Sequence, residues 1–196
     1  MQIGFYFDQT RCTGCGACQV ACKDWHDLPA GPRNWMRVLY TEMGKFPNVF
    51  VSYLIAPCYH CQHPTCARAC PVAAIEKRAA DGIVVVDSLK CLGNIDCPVK
   101  CLKACPYGAP QFGEEEGARM SKCDYCLDRW VDNKLPACVE ACPTRAIGAG
   151  SMDTLADRYG SGQQAVGFTF NNRTKPAVVL KSKPAKFKVG PSGPPQ

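Results

Sequence analysis

Sixteen of the 196 residues are cysteine, and they fall into four groups of four. The first is Cys12, Cys15, Cys18 and Cys22, and the second Cys58, Cys61, Cys66 and Cys70. The third is Cys91, Cys97, Cys101 and Cys105, and the fourth Cys123, Cys126, Cys138 and Cys142. Each group closes with C-x3-C, and in the last three the final cysteine precedes Pro71, Pro106 or Pro143. One ending repeated four times is an internal repeat. The chemistry this spacing suits is iron–sulfur ligation. In C-x2-C-x2-C-x3-C the first three thiolates converge on one compact cluster, while the fourth reaches the other cluster of a two-cluster ferredoxin. Structural zinc sites instead bring together two C-x2-C pairs from separate loops, a pattern that only the fourth group would suggest if it stood alone. The third group has no C-x2-C. At four thiolates per cluster the sequence holds enough for four [4Fe–4S] clusters, hence two double-cluster units, and spacing leaves open which groups pair.

No Ser/His/Asp constellation, carboxylate pair or nucleotide fingerprint accompanies the cysteines, so the chain is expected to perform no bond chemistry itself. His60 and His63 sit inside the second group, where four cysteines already satisfy a cluster. They are therefore read as surface residues or as residues that tune the potential of that cluster. Trp25, Trp35, Trp130 and Tyr107 are read as packing over a cluster or at a subunit face rather than as electron relays. Glu114, Glu115 and Glu116 read as a solvated loop.

The elements that must position these thiols are short. Leu, Ile, Val and Phe make up only about a fifth of the chain, near the floor for a packed aliphatic core, so metal–thiolate bonds must supply part of the cohesion. Strands are expected at 36–41 and 49–54, and at 82–87 after an Asp81-Gly82 turn. About one helical turn is expected at 72–75 and again at 144–147. From about residue 174 the Lys- and Pro-rich composition reads as an extended arm or disorder. No N-terminal signal segment is expected and no apolar run is long enough for a membrane helix, so reduced thiols and metal are expected rather than disulfides. The formal charge of +6 is scattered and makes a weak case for nucleic acid.

The segments 12–24 (CTGCGACQVACKD), 58–71 (CYHCQHPTCARACP), 104–110 (ACPYGAP) and 121–129 (SKCDYCLDR) together resemble the electron-transfer subunits of the dimethyl sulfoxide reductase family of molybdopterin oxidoreductases. The resemblance covers residues 1–150. It implies an α+β fold in which two ferredoxin-like units are nested. One is built from 1–50 and 110–150 around groups one and four. The other, 51–109, is inserted around groups two and three; residues 151–196 lie outside the resemblance and are expected to form a C-terminal extension, an extended arm on a partner subunit. The resemblance also implies the wiring. One cluster takes Cys12, Cys15, Cys18 and Cys142, and a second takes Cys123, Cys126, Cys138 and Cys22. A third takes Cys58, Cys61, Cys66 and Cys105, and a fourth takes Cys91, Cys97, Cys101 and Cys70. The third group departs from the family in its two lengthened early gaps. A regular [4Fe–4S] cluster on a larger loop is the expectation there, with a three-iron or atypical site as the alternative.

The implied partners are a molybdenum- or tungsten-pterin catalytic subunit and, at the other end, a quinone-linked membrane subunit or a ferredoxin-type carrier, with no nucleic acid. The implied location is the cytoplasm, or export as a passenger with a twin-arginine catalytic subunit. A free-standing polyferredoxin and a zinc-stabilised binding module are the competing readings. Four oxidised clusters with their thiolates, at about −2 each, would turn the formal +6 into a slightly negative total.

Overall fold

The computed structural model describes residues 1–185. In chain order the elements are β1 (Ile3–Asp8), α1 (Ala17–Trp25), β2 (Val38–Lys45), β3 (Asn48–Ile55), α2 (Thr65–Ala69), β4 (Ile75–Lys77) and β5 (Val84–Val86). Then come α3 (Gly93–Asp96), α4 (Lys100–Ala104), α5 (Leu127–Val131), α6 (Ala137–Glu140), β6 (Ile147–Ser151), α7 (Met152–Tyr159) and β7 (Val178–Lys181). Most helices are a single turn, and the three sheets have three, two and two strands. No helix among the described residues is long and apolar enough to cross a membrane.

The sheet that ties the chain together has the order β6-β1-β7. β1 runs antiparallel to β6, with Ile3 opposite Ser151 and Phe7 opposite Ile147, and parallel to β7, with Phe5 opposite Val178. All six residues of β1 are buried, because both faces are covered. Ile3, Phe5 and Phe7 point into the main core beside Cys18, Cys22, Cys123, Cys138 and Cys142. Tyr6 faces α7, where it meets Leu155 and Val179 and stacks on Tyr159 at 3.7 Å between ring centroids. Gly4 has no room for a side chain, since a Cβ there would collide with the Ala177 carbonyl and the Met152 sulfur. The Ser151 hydroxyl caps α7 by accepting from the Thr154 N–H at 3.1 Å.

Between β1 and β6 lies the rest of the chain. α1 packs on α6 and α2 on α4, while β4 pairs with β5 and β2 with β3 as antiparallel ribbons. The strands expected at 36–41, 49–54 and 82–87 overlap β2, β3 and β5, but β2 starts at Val38 and runs on to Lys45, β3 spans Asn48–Ile55, and β5 is only Val84–Val86. Three expectations need correction. Residues 72–75 and 144–147 are not helical turns. Ala73 and Arg145 adopt the left-handed region, at φ 49° and 52°, and the chain goes straight into β4 and β6. The boundary expected after residue 50 falls inside β3, so the β2–β3 hairpin spans it. Nor are residues 151–185 a detached arm, because β7 completes the central sheet and α7 packs on it, with Val178, Val179 and Leu180 buried. The remainder of the expected arm, 186–196, lies outside the described residues.

Candidate metal centres

The repeated C-x3-C ending has a simple geometric meaning. Four residues are one helical turn, an advance of about 6 Å along one face. α1 carries Cys18 and Cys22 on its buried face. α2, α4 and α6 carry Cys66, Cys101 and Cys138, with Cys70, Cys105 and Cys142 following just beyond their last residues. The first thiol of each pair faces the cysteines of its own group, and the last faces another group. Cys12, Cys15 and Cys18 share a small cavity with Cys142. Cys58, Cys61 and Cys66 share one with Cys105. Cys91, Cys97 and Cys101 share one with Cys70. Cys126 is the strongest electrostatic influence on Cys22, and Cys22 is the strongest on both Cys123 and Cys138.

The lengthened third group gathers like the others. The one-turn α3 takes up its extra residues, entered through Gly93 at φ 84°, where a side chain would strike the Gly117 carbonyl. Among the described residues, no three His, Cys, Asp or Glu side chains converge closely enough to hold a single metal ion. Three quartets of thiols ring cavities, an arrangement suited to a polynuclear cluster.

Local backbone geometry aims the sulfurs. In three of the four C-x2-C pairs the residue before the second cysteine is left-handed: Gly14 at φ 72°, His60 at 42° and Tyr125 at 67°, whereas Ala17 before Cys18 already opens α1. For His and Tyr this conformation is costly and persists because the surroundings hold it. After each Cys-Pro a second device recurs. Ala73, Gly108 and Arg145 are left-handed, and the next N–H turns back onto the cysteine. Ala74 donates to Cys70 Sγ at 3.3 Å, Ala109 to Cys105 Sγ at 3.4 Å and Ala146 to Cys142 Sγ at 3.3 Å. Met120 donates similarly to Cys91 Sγ, and Tyr125 to Cys123 Sγ, both at 3.4 Å. Donors to thiolate sulfur are a lever on cluster potential.

Electrostatics tests whether anionic clusters fit. Burial, and then neighbouring cysteines, push the thiols of Cys18 and Cys61 up to about 12, and burial drives Cys123 and Cys138 well above the ordinary range. Such thiols become thiolates only when a metal supplies the counter-charge. Around the quartet of Cys58, Cys61, Cys66 and Cys105 the opposite need appears. Lys122, 3 % exposed, donates to the carbonyls of Val84 and Cys123. Lys77 donates to Gln2 Oε1, Cys61 O and Gly82 O. Arg37, held below its usual value by burial, donates to Ala56 O and Tyr107 O. Among the described residues none of the three has a carboxylate partner. Buried cations need counter-charge, and a cluster with four thiolates, at about −2, would provide it. The residues present therefore fit [4Fe–4S].

These three cations were not singled out in the sequence. Only Lys122, adjacent to Cys123, carries a local signal. The histidines divide: His63 is exposed, and His60 is fully buried with its ring toward Cys123 instead of the cysteines that flank it. Trp35, Trp130 and Tyr107 pack against the core, whereas Trp25 is 44 % exposed and donates to Asp128. Glu114 to Glu116 are exposed, as expected of a loop.

Comparison with known proteins agrees with this chemistry. The 4Fe-4S dicluster domain family matches residues 49–152, and a 4Fe-4S binding domain matches residues 4–24. The sequence is 42% identical over 189 residues to the B subunit of anaerobic dimethyl sulfoxide reductase from Escherichia coli (strain K12), covering 92% of this protein and 88% of that one. It is 34% identical over 204 residues to the formate dehydrogenase iron-sulfur subunit of Wolinella succinogenes, covering 89% and 97%. It is 36% identical over 154 residues to the protein NrfC of Escherichia coli (strain K12), covering 78% and 67%.

Proposed function

This protein belongs to the ferredoxin-type iron–sulfur subunits of molybdopterin oxidoreductases, and from that premise we propose that it relays single electrons through four [4Fe–4S] clusters held in crossed quartets. Its cofactors are [4Fe–4S] clusters, and its role in the oxidoreductase complex is electron transfer. The proposed ligand sets are Cys12, Cys15, Cys18 and Cys142; Cys22, Cys123, Cys126 and Cys138; Cys58, Cys61, Cys66 and Cys105; and Cys70, Cys91, Cys97 and Cys101. The observation that carries this reading is the grouping of three quartets of thiols around shared cavities, each with one member from a distant group; the fourth is supported by the electrostatic coupling of Cys22 to Cys123, Cys126 and Cys138.

When bound, the clusters supply one-electron outer-sphere transfer without bond making. The protein's own residues hold and bias them. Helical turns set the thiol spacing, the loop N–H groups of Ala74, Ala109 and Ala146 stabilise charge on sulfur, and Lys77, Lys122 and Arg37 neutralise the third quartet. In this reading α1 with α6 and α2 with α4 are the helix pairs of two nested double-cluster units. A separate molybdenum- or tungsten-pterin subunit lies at the outer unit, and a quinone-linked membrane subunit or soluble carrier lies at the inserted one. The complex is cytoplasmic or exported through its catalytic subunit. The substrate belongs to that subunit, since the relatives carry the names of different reactions.

The purified holoprotein should contain about 16 iron and 16 acid-labile sulfide per molecule. Cys12→Ser and Cys142→Ser should alter the same electron paramagnetic resonance signal. If Cys142→Ser instead altered the signal affected by Cys123→Ser, the quartets would be sequential and the crossed wiring wrong.

A further inference from the structure

The protein has three histidines, and two of them place Nε2 against thiols of one quartet. His60 Nε2 lies 3.8 Å from Cys123 Sγ, and His26 Nε2 lies 3.4 Å from Cys126 Sγ. The proton positions follow from the partners. His60 Nδ1 accepts the Val84 N–H at 3.0 Å, so that nitrogen carries a lone pair and the hydrogen must sit on Nε2, facing the sulfur. His26 Nε2 has two acceptors, Cys126 Sγ and Asp124 Oδ1 at 3.6 Å, and satisfies either only by donating. Both rings are held in place. His60 is fully buried between Phe5 and Tyr125, with its ring edge-on to Tyr125 at 5.6 Å. His26 packs on Trp35 at 4.5 Å.

The two donors arrive from different parts of the sequence. His26 ends the helix that carries Cys22. His60 sits in the left-handed position between Cys58 and Cys61, whose thiols line the neighbouring cavity. Cys58 and Cys123 are near enough to influence one another, so His60 spans the seam between two quartets.

We propose that His26 and His60 are paired side-chain donors that raise the reduction potential of the single cluster held by Cys22, Cys123, Cys126 and Cys138, making it the adjustable step at the seam between the two halves of the relay. The inference rests on the ligand sets given above. Reduction adds one negative charge, spread over the sulfurs. An N–H donor therefore stabilises the reduced state more than the oxidised one, and its loss lowers the potential.

The test is a redox titration of the holoprotein followed by electron paramagnetic resonance. His60→Phe and His26→Phe should lower one and the same wave. At a fixed ambient potential the reduced-to-oxidised ratio should fall three- to tenfold in each variant, about 28–59 mV for a one-electron couple. His60→Gln, which keeps an N–H donor, should recover part of the loss. Wild-type protein labelled with ¹⁵N-histidine should show imidazole nitrogen coupling on that same wave by pulsed measurement. Two variants that move different waves, or none, overturn the inference. So does an absence of nitrogen coupling, whether or not either variant folds. A wild-type protein with fewer than four clusters would instead overturn the ligand sets, whereas full cluster content with unmoved waves overturns only the role of the histidines.

Discussion

Tyr125 joins the sheet to the metal loops through one hydroxyl, and Tyr125→Phe isolates that connection. Its ring is fully buried between Phe5, at 4.8 Å, and Trp130, at 5.2 Å, contacts that Phe keeps. Its Oη donates to Gly4 O at 2.7 Å and accepts from Gly150 N at 3.0 Å. Gly4 and Gly150 oppose one another across β1 and β6, so the hydroxyl stands in for part of their ladder. Removing it leaves two backbone groups without a partner, at about 1–3 kcal/mol each where water is excluded. Gly4 is buried but Gly150 only partly, so water can satisfy one of them and the net cost should be about 2 kcal/mol. For a protein of this size that lowers the melting temperature by about 4–8 °C. The assay is the loss of iron–sulfur absorbance on heating at one fixed scan rate, since unfolding with cluster loss is irreversible. Iron content before heating should be unchanged. Tyr40→Phe, at a position 73 % exposed, is the matched control. A Tyr125→Phe protein that melts within about 1 °C of wild type would refute the bridging role.

Three further outcomes are expected. Leu180→Ala removes a buried side chain of β7, 4 % exposed within the main core. It should cost about 2–4 kcal/mol in the same melting assay with full iron content, as a detached arm would not. Gly14→Ala forces a Cβ into a φ of 72° and against the Tyr53 ring. The first cysteine loop should then fail to close, and iron analysis should fall by about a quarter, the share of one cluster in four. Burial alone would raise the Asp8 carboxyl, but hydrogen bonds from Thr10 and Lys181 pull it below the ordinary carboxylate value. A depressed acid stabilises the fold above its unfolded pKa and loses that contribution only as pH falls toward the folded one. Asp8→Asn should therefore melt lower than wild type by a constant margin from pH 8 to about 5, and a margin that closes within that range would count against the pairing.

What could be read from the sequence was whatever chemistry writes locally. The cysteine spacings are such a signal, because each C-x3-C is one helical turn and each C-x2-C one tight loop, and both are set by residues a few positions apart. Even the irregular third group keeps this logic, with α3 absorbing the extra length. Length alone misled at 72–75 and 144–147. The segments after these Cys-Pro endings are long enough for a helical turn, but the Ala74 and Ala146 N–H groups bond to Cys70 and Cys142 sulfur instead of forming one. β1 drew no strand expectation and β7 was absorbed into a tail. In each case the deciding partner lies far away in the sequence: Phe5 opposite Val178, Phe7 opposite Ile147. A three-residue apolar run in a Lys- and Pro-rich stretch has no local reason to be ordered until β1 offers it an edge.

The same distinction separates the ligands from the groups around them. Thiols must be cysteine, so their positions are visible in the sequence; a donor or a cation near a cluster can come from any residue that the fold delivers. Lys122 counts as a buried cation because Val84 and Cys123 turn their carbonyls toward it, and His60 counts as a donor to Cys123 because Val84 holds its other nitrogen. Val84 thus serves both, through one residue of a three-residue strand that carries no cysteine. Placing β5 there fixes a charge and a tautomer at the seam between two quartets. Hence a substitution that shifts β5, though it touches no ligand, should disturb two potentials together while leaving the iron count intact.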